Sequence, residues 1–380
     1  MHIATRLVHT GSEQACCAEP INVPIYQTST FIQSGLTAPK DYHYSRIGNP
    51  TRTALEEALA IAETGTHAFA FGSGMAAIDA VASLLKPGDE AIVSEHLYGG
   101  SLRLFSGLLA SHGIQFRYVD LRDRASVVRH LTQHTRMIWA ESPSNPTLQV
   151  IDLELLATIG RERGIITVAD NTFATPALQR PLELGVDFVV HSASKYLGGH
   201  SDVIAGAVIT RREELARHIG FVQSARGAIP GPQDCFLVLR GMKTLYLRMQ
   251  AHCENAGRIA GWLREQKKVR NVYWPGFTDY PEHSIAQKQM EGFGGVVSFD
   301  FQDDTEDSVQ AFIRKTRIFR LAESLGGVES TLSHPASMSH PMLSVEERLR
   351  LGITPSLVRL SVGIENPDDL IEDLNQALNT

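Results

Sequence analysis

Between about residues 51 and 187, short apolar runs suited to strands alternate with helix-length stretches and turn residues, which restricts the chain to few folds. Leu55, Leu59 and Ala62 share one face of a helix, and apolar runs follow at residues 68–71, 91–93, 116–119, 137–139 and 165–168. Lys86-Pro87-Gly88-Asp89 and Ser142-Pro143-Ser144-Asn145-Pro146 are turn punctuation. The pattern predicts an α/β fold built on a mostly parallel sheet covered on both faces. After a further strand at 205–210 come long helices at 212–223 and 233–266, the second reading as one connector. A strand at 294–301, a helix at 305–315, a strand at 357–362 and a closing helix at 367–378, with Pro367 in its first turn, predict a smaller C-terminal α+β domain. The expected division is an N-terminal arm (1–50), a large α/β domain (51–240), and a connector helix with the C-terminal domain (241–380).

A chain of 380 residues with 43% hydrophobic and 20% charged residues can bury a core, which excludes global disorder. Lys+Arg 35 against Asp+Glu 42 leaves a net charge of -7 and no positive field for a nucleic acid. Cys16, Cys17, Cys235 and Cys253 form neither a disulfide framework nor a zinc pattern. No uncharged apolar stretch is long enough to span a bilayer, and Met1 to Arg6 leads into no signal-peptide core, so no membrane partner and a cytoplasmic location are expected. His191, His200 and His334 are irregularly spaced and read as structural histidines, with no metal expected.

Ligands of α/β sheets bind at the carboxyl ends of strands, so polar residues directly after apolar runs carry the chemistry. Asp170 ends one run, Ser192, Ser194 and Lys195 end another, and Gly72-Ser73-Gly74-Met75 turns a third into a helix. The glycine turn matches neither a Walker lysine motif nor a GxGxxG turn, yet small residues at a helix N-terminus suit a phosphate. A desolvated lysine forms imines with carbonyl compounds, and a carboxylate keeps a heterocyclic nitrogen protonated. Imine lysine, ring-nitrogen carboxylate and phosphate cradle are together the requirements of pyridoxal 5′-phosphate (PLP) binding.

Asp187 through Asp202, with Ser192-Ala193-Ser194-Lys195-Tyr196 at its centre, closely resembles the lysine signature of the Cys/Met-metabolism family of PLP enzymes. The resemblance extends through Tyr44-Ser45-Arg46, Tyr98-Gly99-Gly100, Asp170-Asn171-Thr172-Phe173, Glu323-Ser324-Leu325-Gly326-Gly327 and Arg359-Leu360-Ser361-Val362-Gly363. It implies an aspartate-aminotransferase-like large domain (PLP fold type I). It also implies that Lys195 holds the cofactor and shuttles protons, that Asp170 faces the ring nitrogen, and that Tyr98 stacks on the ring and acts as acid or base. Gly74, Met75, Ser192 and Ser194 would bind the phosphate. Tyr44 and Arg46 of the arm would reach a neighbouring subunit's phosphate, in a homotetramer built as a dimer of dimers with shared sites. Arg359 would grip the substrate α-carboxylate with Ser324 and Asn145.

Gly100 stands where methionine γ-lyases of this family typically carry cysteine, and Glu323 resembles cystathionine γ-lyases and γ-synthases. Arg103 and Glu323, on opposite sides of the site, would recognise the distal ends of a long sulfur amino acid. The resemblance therefore implies α,γ-elimination of L-cystathionine. Alternatives are cystathionine γ-synthase, a β-lyase or cysteine-homocysteine C–S lyase, and a PLP-binding homologue without catalysis. Ser194 in place of threonine, His43 before Tyr44, and Ser330-Thr331 depart from the family pattern and leave distal-group preference open. The absence of a GxSxG elbow argues against a serine hydrolase.

Overall fold

The apolar runs form one sheet in a computed structural model that describes residues 2–9, 20–36 and 40–379, so Cys16 and Cys17 lie outside the described residues. Its strands are β1 (His67–Phe71), β2 (Glu90–Ser94), β3 (Gln115–Val119), β4 (Thr135–Glu141), β5 (Ile166–Asp170), β6 (Phe188–Ser192) and β7 (Gly206–Thr210). They lie in the order β1-β7-β6-β5-β4-β2-β3. β7 runs antiparallel to both neighbours, and the other pairings are parallel.

Side-chain alternation commits each strand to two cores. Val168, Phe188, Val190 and Val208 pack with the helices Gly74–Ala82 and Glu213–Arg226. Val189, Ala207 and Ile209 face the helices Pro50–Ala62 and Pro232–Met242. Several of the covering helices start where the sequence supplies a cap. Asn49 accepts from the Thr51 amide ahead of Pro50, Ser73 from Ala76, and Asp152 from Leu155.

A second sheet, with strands β8 (Val269–Tyr273), β9 (Val296–Phe301), β10 (Arg320–Leu321), β11 (Thr331–Ser333) and β12 (Val358–Ser361), has the order β10-β11-β12-β9-β8. It is antiparallel except between β10 and β11. Val297, Phe299 and Leu360 pack there against Ile259 and Leu263 of the helix Leu245–Arg264 and Leu370 and Leu374 of the helix Pro367–Asn379.

The single connector expected over 233–266 is instead two helices, Pro232–Met242 and Leu245–Arg264. The break falls where the Gly241 carbonyl accepts from the Thr244 amide and hydroxyl and from Arg248 Nη2 (2.7 Å), which ends the first helix without a proline. A Cβ at Gly241 would fall 2.1 Å from the Gly198 carbonyl oxygen, so this turn packs directly on the backbone after Lys195. Among the described residues no helix is long and apolar enough to cross a membrane.

Candidate active site

The turn after β1 is shaped as an anion cradle. Ser73 spends its hydroxyl on the Ala76 amide (3.1 Å), which leaves the amides of Gly74 and Met75 at the helix's positive end for a ligand. A Cβ on Gly74 would lie 2.9 Å from Ser192 Cβ and 3.0 Å from Ser192 Oγ, so glycine keeps this space open. Ser194 is differently engaged: its hydroxyl donates to the Ala205 carbonyl (3.2 Å) and accepts from the Ala205 amide (3.0 Å).

Lys195 follows β6 and is half-buried, with Nζ donating to Ser324 Oγ at 2.5 Å. Desolvation, helped by the Arg359 charge and opposed by Glu323, lowers its pKa to about 8. Arg359, in β12, is buried. Its Nη1 donates to Asn145 Oδ1 (2.8 Å), Nη2 donates to the Ser324 carbonyl (2.7 Å), and Nε has no protein partner. Burial pulls it down to about 10, and it stays cationic at neutral pH. Lys195, Ser324, Asn145 and Arg359 thus form one linked cluster.

Asp170 ends β5. Its Oδ1 accepts from the Thr172 amide (3.0 Å) and hydroxyl (2.5 Å), so Oδ2 remains for a ligand. Burial raises its pKa, and the Thr172 bonds and the His191 charge oppose the rise. Tyr98 precedes the helix Gly99–Arg103 with its side chain 42% exposed, enough to present a ring face.

Of the other expected residues, one pair lies away from this cluster and a second borders it without pairing. Tyr44 and Arg46 lie on the exposed arm, with Arg46 over the Tyr44 ring (5.6 Å) and donating to the Ser224 carbonyl (2.6 Å). Arg103 and Glu323 make no ion pair among the described residues. Arg103 lines a cavity of about 500 Å³ with His96, Tyr118, Asn145 and His340, whereas Glu323 acts on Lys195 and Arg359. The three histidines have protein partners. His191 Nε2 meets Glu63 Oε1 (2.5 Å), His200 Nδ1 the Gly198 carbonyl (2.8 Å), and His334 both Ser337 Oγ and the Pro355 carbonyl (2.8 Å each).

Sequence reasoning missed Glu141, Thr172, Glu63 and Arg248. Arg248 is buried, with Nη1 on the Tyr196 carbonyl (2.8 Å) and Nη2 on the Gly241 carbonyl. Only Glu141 and Thr172 had a local signal, each following or ending an apolar strand run.

A family model described as Cys/Met metabolism PLP-dependent enzyme matches residues 4–379. The chain belongs to that family. It is 49% identical to cystathionine beta-lyase of Coxiella burnetii, over 99% of this chain and 98% of that protein. It is 46% identical to cystathionine gamma-synthase of Mycobacterium tuberculosis, over 99% and 96%. The crystal structure of cystathionine gamma-lyase from Lactobacillus plantarum complexed with L-serine matches with a TM-score of 0.96 at 45% identity, covering 99% of this chain and 98% of that one. Membership makes this chain a PLP-dependent enzyme of cysteine and methionine metabolism with carbon–sulfur chemistry, and the type I fold agrees. The residues present fit the cofactor: an open cradle that a Cβ would fill, a buried carboxylate with one oxygen unpartnered, and a lysine of lowered basicity converge on one site.

Proposed function

We propose that the chain is a cystathionine γ-lyase, converting L-cystathionine and water to L-cysteine, 2-oxobutanoate and ammonia. The observation that carries this reading is the position of Lys195. Its amine has a pKa near 8 and bonds Ser324, whose carbonyl holds Arg359, so a carboxylate held by Arg359 sits near one group able to move protons. Bound PLP supplies the sink for the electrons left when the α-proton is removed. Arg359 fixes the α-carboxylate with two N–H groups braced by Asn145 and Ser324. Lys195 takes the α-proton and then moves a proton from the β-carbon, which the loss of a γ-thiolate requires. Asp170 holds the ring-nitrogen proton through Oδ2 while Thr172 fixes Oδ1. Tyr98 would stack on the ring; Gly74, Met75 and Ser192 would hold the phosphate, and Ser194 would join them by releasing its hydroxyl from the Ala205 carbonyl. Glu323 and Arg103 serve the distal end of the substrate from separate walls.

Tyr44 and Arg46 are assigned to a second copy of the chain, in keeping with their exposure here, and the assembly is proposed to be a tetramer of paired dimers. The division into arm (1–50), cofactor domain (51–240) and C-terminal domain (241–380) belongs to the same proposal. A cytoplasmic location is consistent with it.

The 49% identity to a cystathionine beta-lyase favours a second reading, α,β-elimination to homocysteine, pyruvate and ammonia. Mass spectrometry of the products formed from L-cystathionine by the PLP-loaded protein decides between them. Cysteine with 2-oxobutanoate supports the γ-lyase, and homocysteine with pyruvate replaces it by the β-lyase. No cleavage, with cystathionine formed from an O-acylhomoserine and cysteine, would make the chain a γ-synthase.

A further inference from the structure

Glu141 is the last residue of β4, is 4% exposed, and spends both carboxylate oxygens on backbone amides of two different loops. Oε2 accepts from the Tyr98 N–H at 2.7 Å, and Oε1 accepts from the Asn145 N–H at 2.8 Å. Tyr98 opens the helix Gly99–Arg103 and has no capping side chain of its own, so this bond anchors the start of that helix. Asn145 has a second role: its Oδ1 receives Arg359 Nη1 (2.8 Å). One buried carboxylate therefore touches, through a single residue on each side, both the aromatic ring assigned to the cofactor and the guanidinium assigned to the substrate.

We propose that Glu141 is a positioning residue that couples the two halves of the site, holding the Tyr98 ring and the Asn145–Arg359 carboxylate clamp in one fixed relation. The proposal rests on the reading of Tyr98 as ring-stacking and Arg359 as carboxylate-binding. It requires a carboxylate in particular. Only an ionised acid offers two acceptor atoms and no donor, whereas glutamine would aim an N–H at one of the two amides. Burial works against this charge: desolvation and the neighbouring Asp170 charge push Glu141 up to about 8, while the Tyr98 and Asn145 amides and Arg359 oppose the rise, so the doubly accepting form predominates above about pH 8 and the coupling is read there. Beyond its place at the end of an apolar run, the sequence does not reveal this role, because Tyr98 lies 43 residues before Glu141 and only the sheet brings the two together.

The test uses the PLP-loaded full chain and two readouts. The first is the dissociation constant of L-alanine, which carries the α-amine and α-carboxylate but nothing to eliminate, followed by absorbance. The second is the visible circular-dichroism band of the bound cofactor, which reports its contact with the Tyr98 ring. Glu141→Gln should weaken L-alanine about tenfold and reduce the dichroic band at least twofold, while Arg359→Lys should weaken L-alanine and leave the band intact. A Glu141→Gln protein with stoichiometric cofactor and wild-type values for both, or a change in only one, overturns the coupling. Unchanged L-alanine affinity in Arg359→Lys overturns instead the carboxylate reading on which the proposal stands, so the two failures are distinct. Should Glu141→Gln not fold, Glu141→Asp keeps the charge but is one methylene too short to hold both amides. The same paired change is then expected, and its absence overturns the proposal.

Discussion

Lys195 Nζ and Ser324 Oγ meet at 2.5 Å although 129 residues separate them, which joins the turn after β6 to the connection between β10 and β11 of the second sheet. Ser324 reaches this place with φ +86, a left-handed conformation that costs a non-glycine residue on the order of 1–3 kcal/mol. Ser324→Gly should therefore be more stable than Ser324→Ala by about 1 kcal/mol, measured by chemical denaturation of the apo-protein. Both variants lose the Lys195 acceptor and should turn over more slowly. An alanine variant as stable as the glycine one would remove the strain argument.

The lowered basicity of Lys195 has two pH consequences. Imine formation needs the neutral amine, so the rate at which apo-protein captures PLP should climb with pH up to about 8 and flatten above it. For stability, an unfolded lysine with a pKa of 10.5 binds a proton that the folded one, at about 8, has released. Folding is therefore favoured progressively as pH rises through that window. Lys195→Met apo-protein should be the more stable at pH 7, with the gap narrowing between about pH 8 and 10.5 in paired thermal melts.

Two glycines admit a direct steric test. Gly74→Ala places a Cβ 2.9 Å from Ser192 Cβ, against backbone as well as side chain, and should weaken PLP binding about tenfold or more in reconstitution titrations. Gly100→Cys would put a Cβ 2.3 Å from Tyr98 Cε1 and 2.9 Å from Met75 Sδ. The Tyr98 ring would have to move, so cystathionine turnover should fall and the cofactor's dichroic band should change with it.

Arg248 is a buried cation with no carboxylate partner among the described residues, satisfied by the Tyr196 and Gly241 carbonyls and by Thr244 Oγ1 (3.1 Å). Burial lowers its pKa to about 10. Arg248→Met leaves two buried carbonyls without this donor beside the lysine segment and should destabilise the protein by about 2–4 kcal/mol. Urea unfolding of the PLP-loaded enzyme measures this, and Arg248→Lys should recover only part of the loss, since one ammonium cannot reproduce the planar fork.

Much of the fold was legible because its signals are local. Most strands from β1 to β7 are centred on a contiguous apolar run, with β3 alternating instead, and residues that end such a run, such as Asp170 and Ser192, stand at the carboxyl edge where ligands bind. β8, β10 and β11 were not legible. β10 has two residues, both exposed, and β8 lies at the sheet's edge, so neither carries the buried pattern that marks a strand. The break between the helices Pro232–Met242 and Leu245–Arg264 was hidden for another reason: Arg248 reaches back to the Gly241 carbonyl, and Gly241 packs on the carbonyl of Gly198, which lies outside the segment.

The sequence alone determined the α/β alternation, the strand-end lysine and carboxylate, and the glycine turn, since short-range periodicity and backbone sterics act within a few residues. Only the tertiary structure decided that Glu141 bridges Tyr98 and Asn145, that Ser324 receives Lys195, and that Arg359 meets Asn145. Those relations depend on which strands become neighbours, and burial gives them their force: the carboxylates of Glu141 and Asp170 lie in register on adjacent strands, where little water screens them.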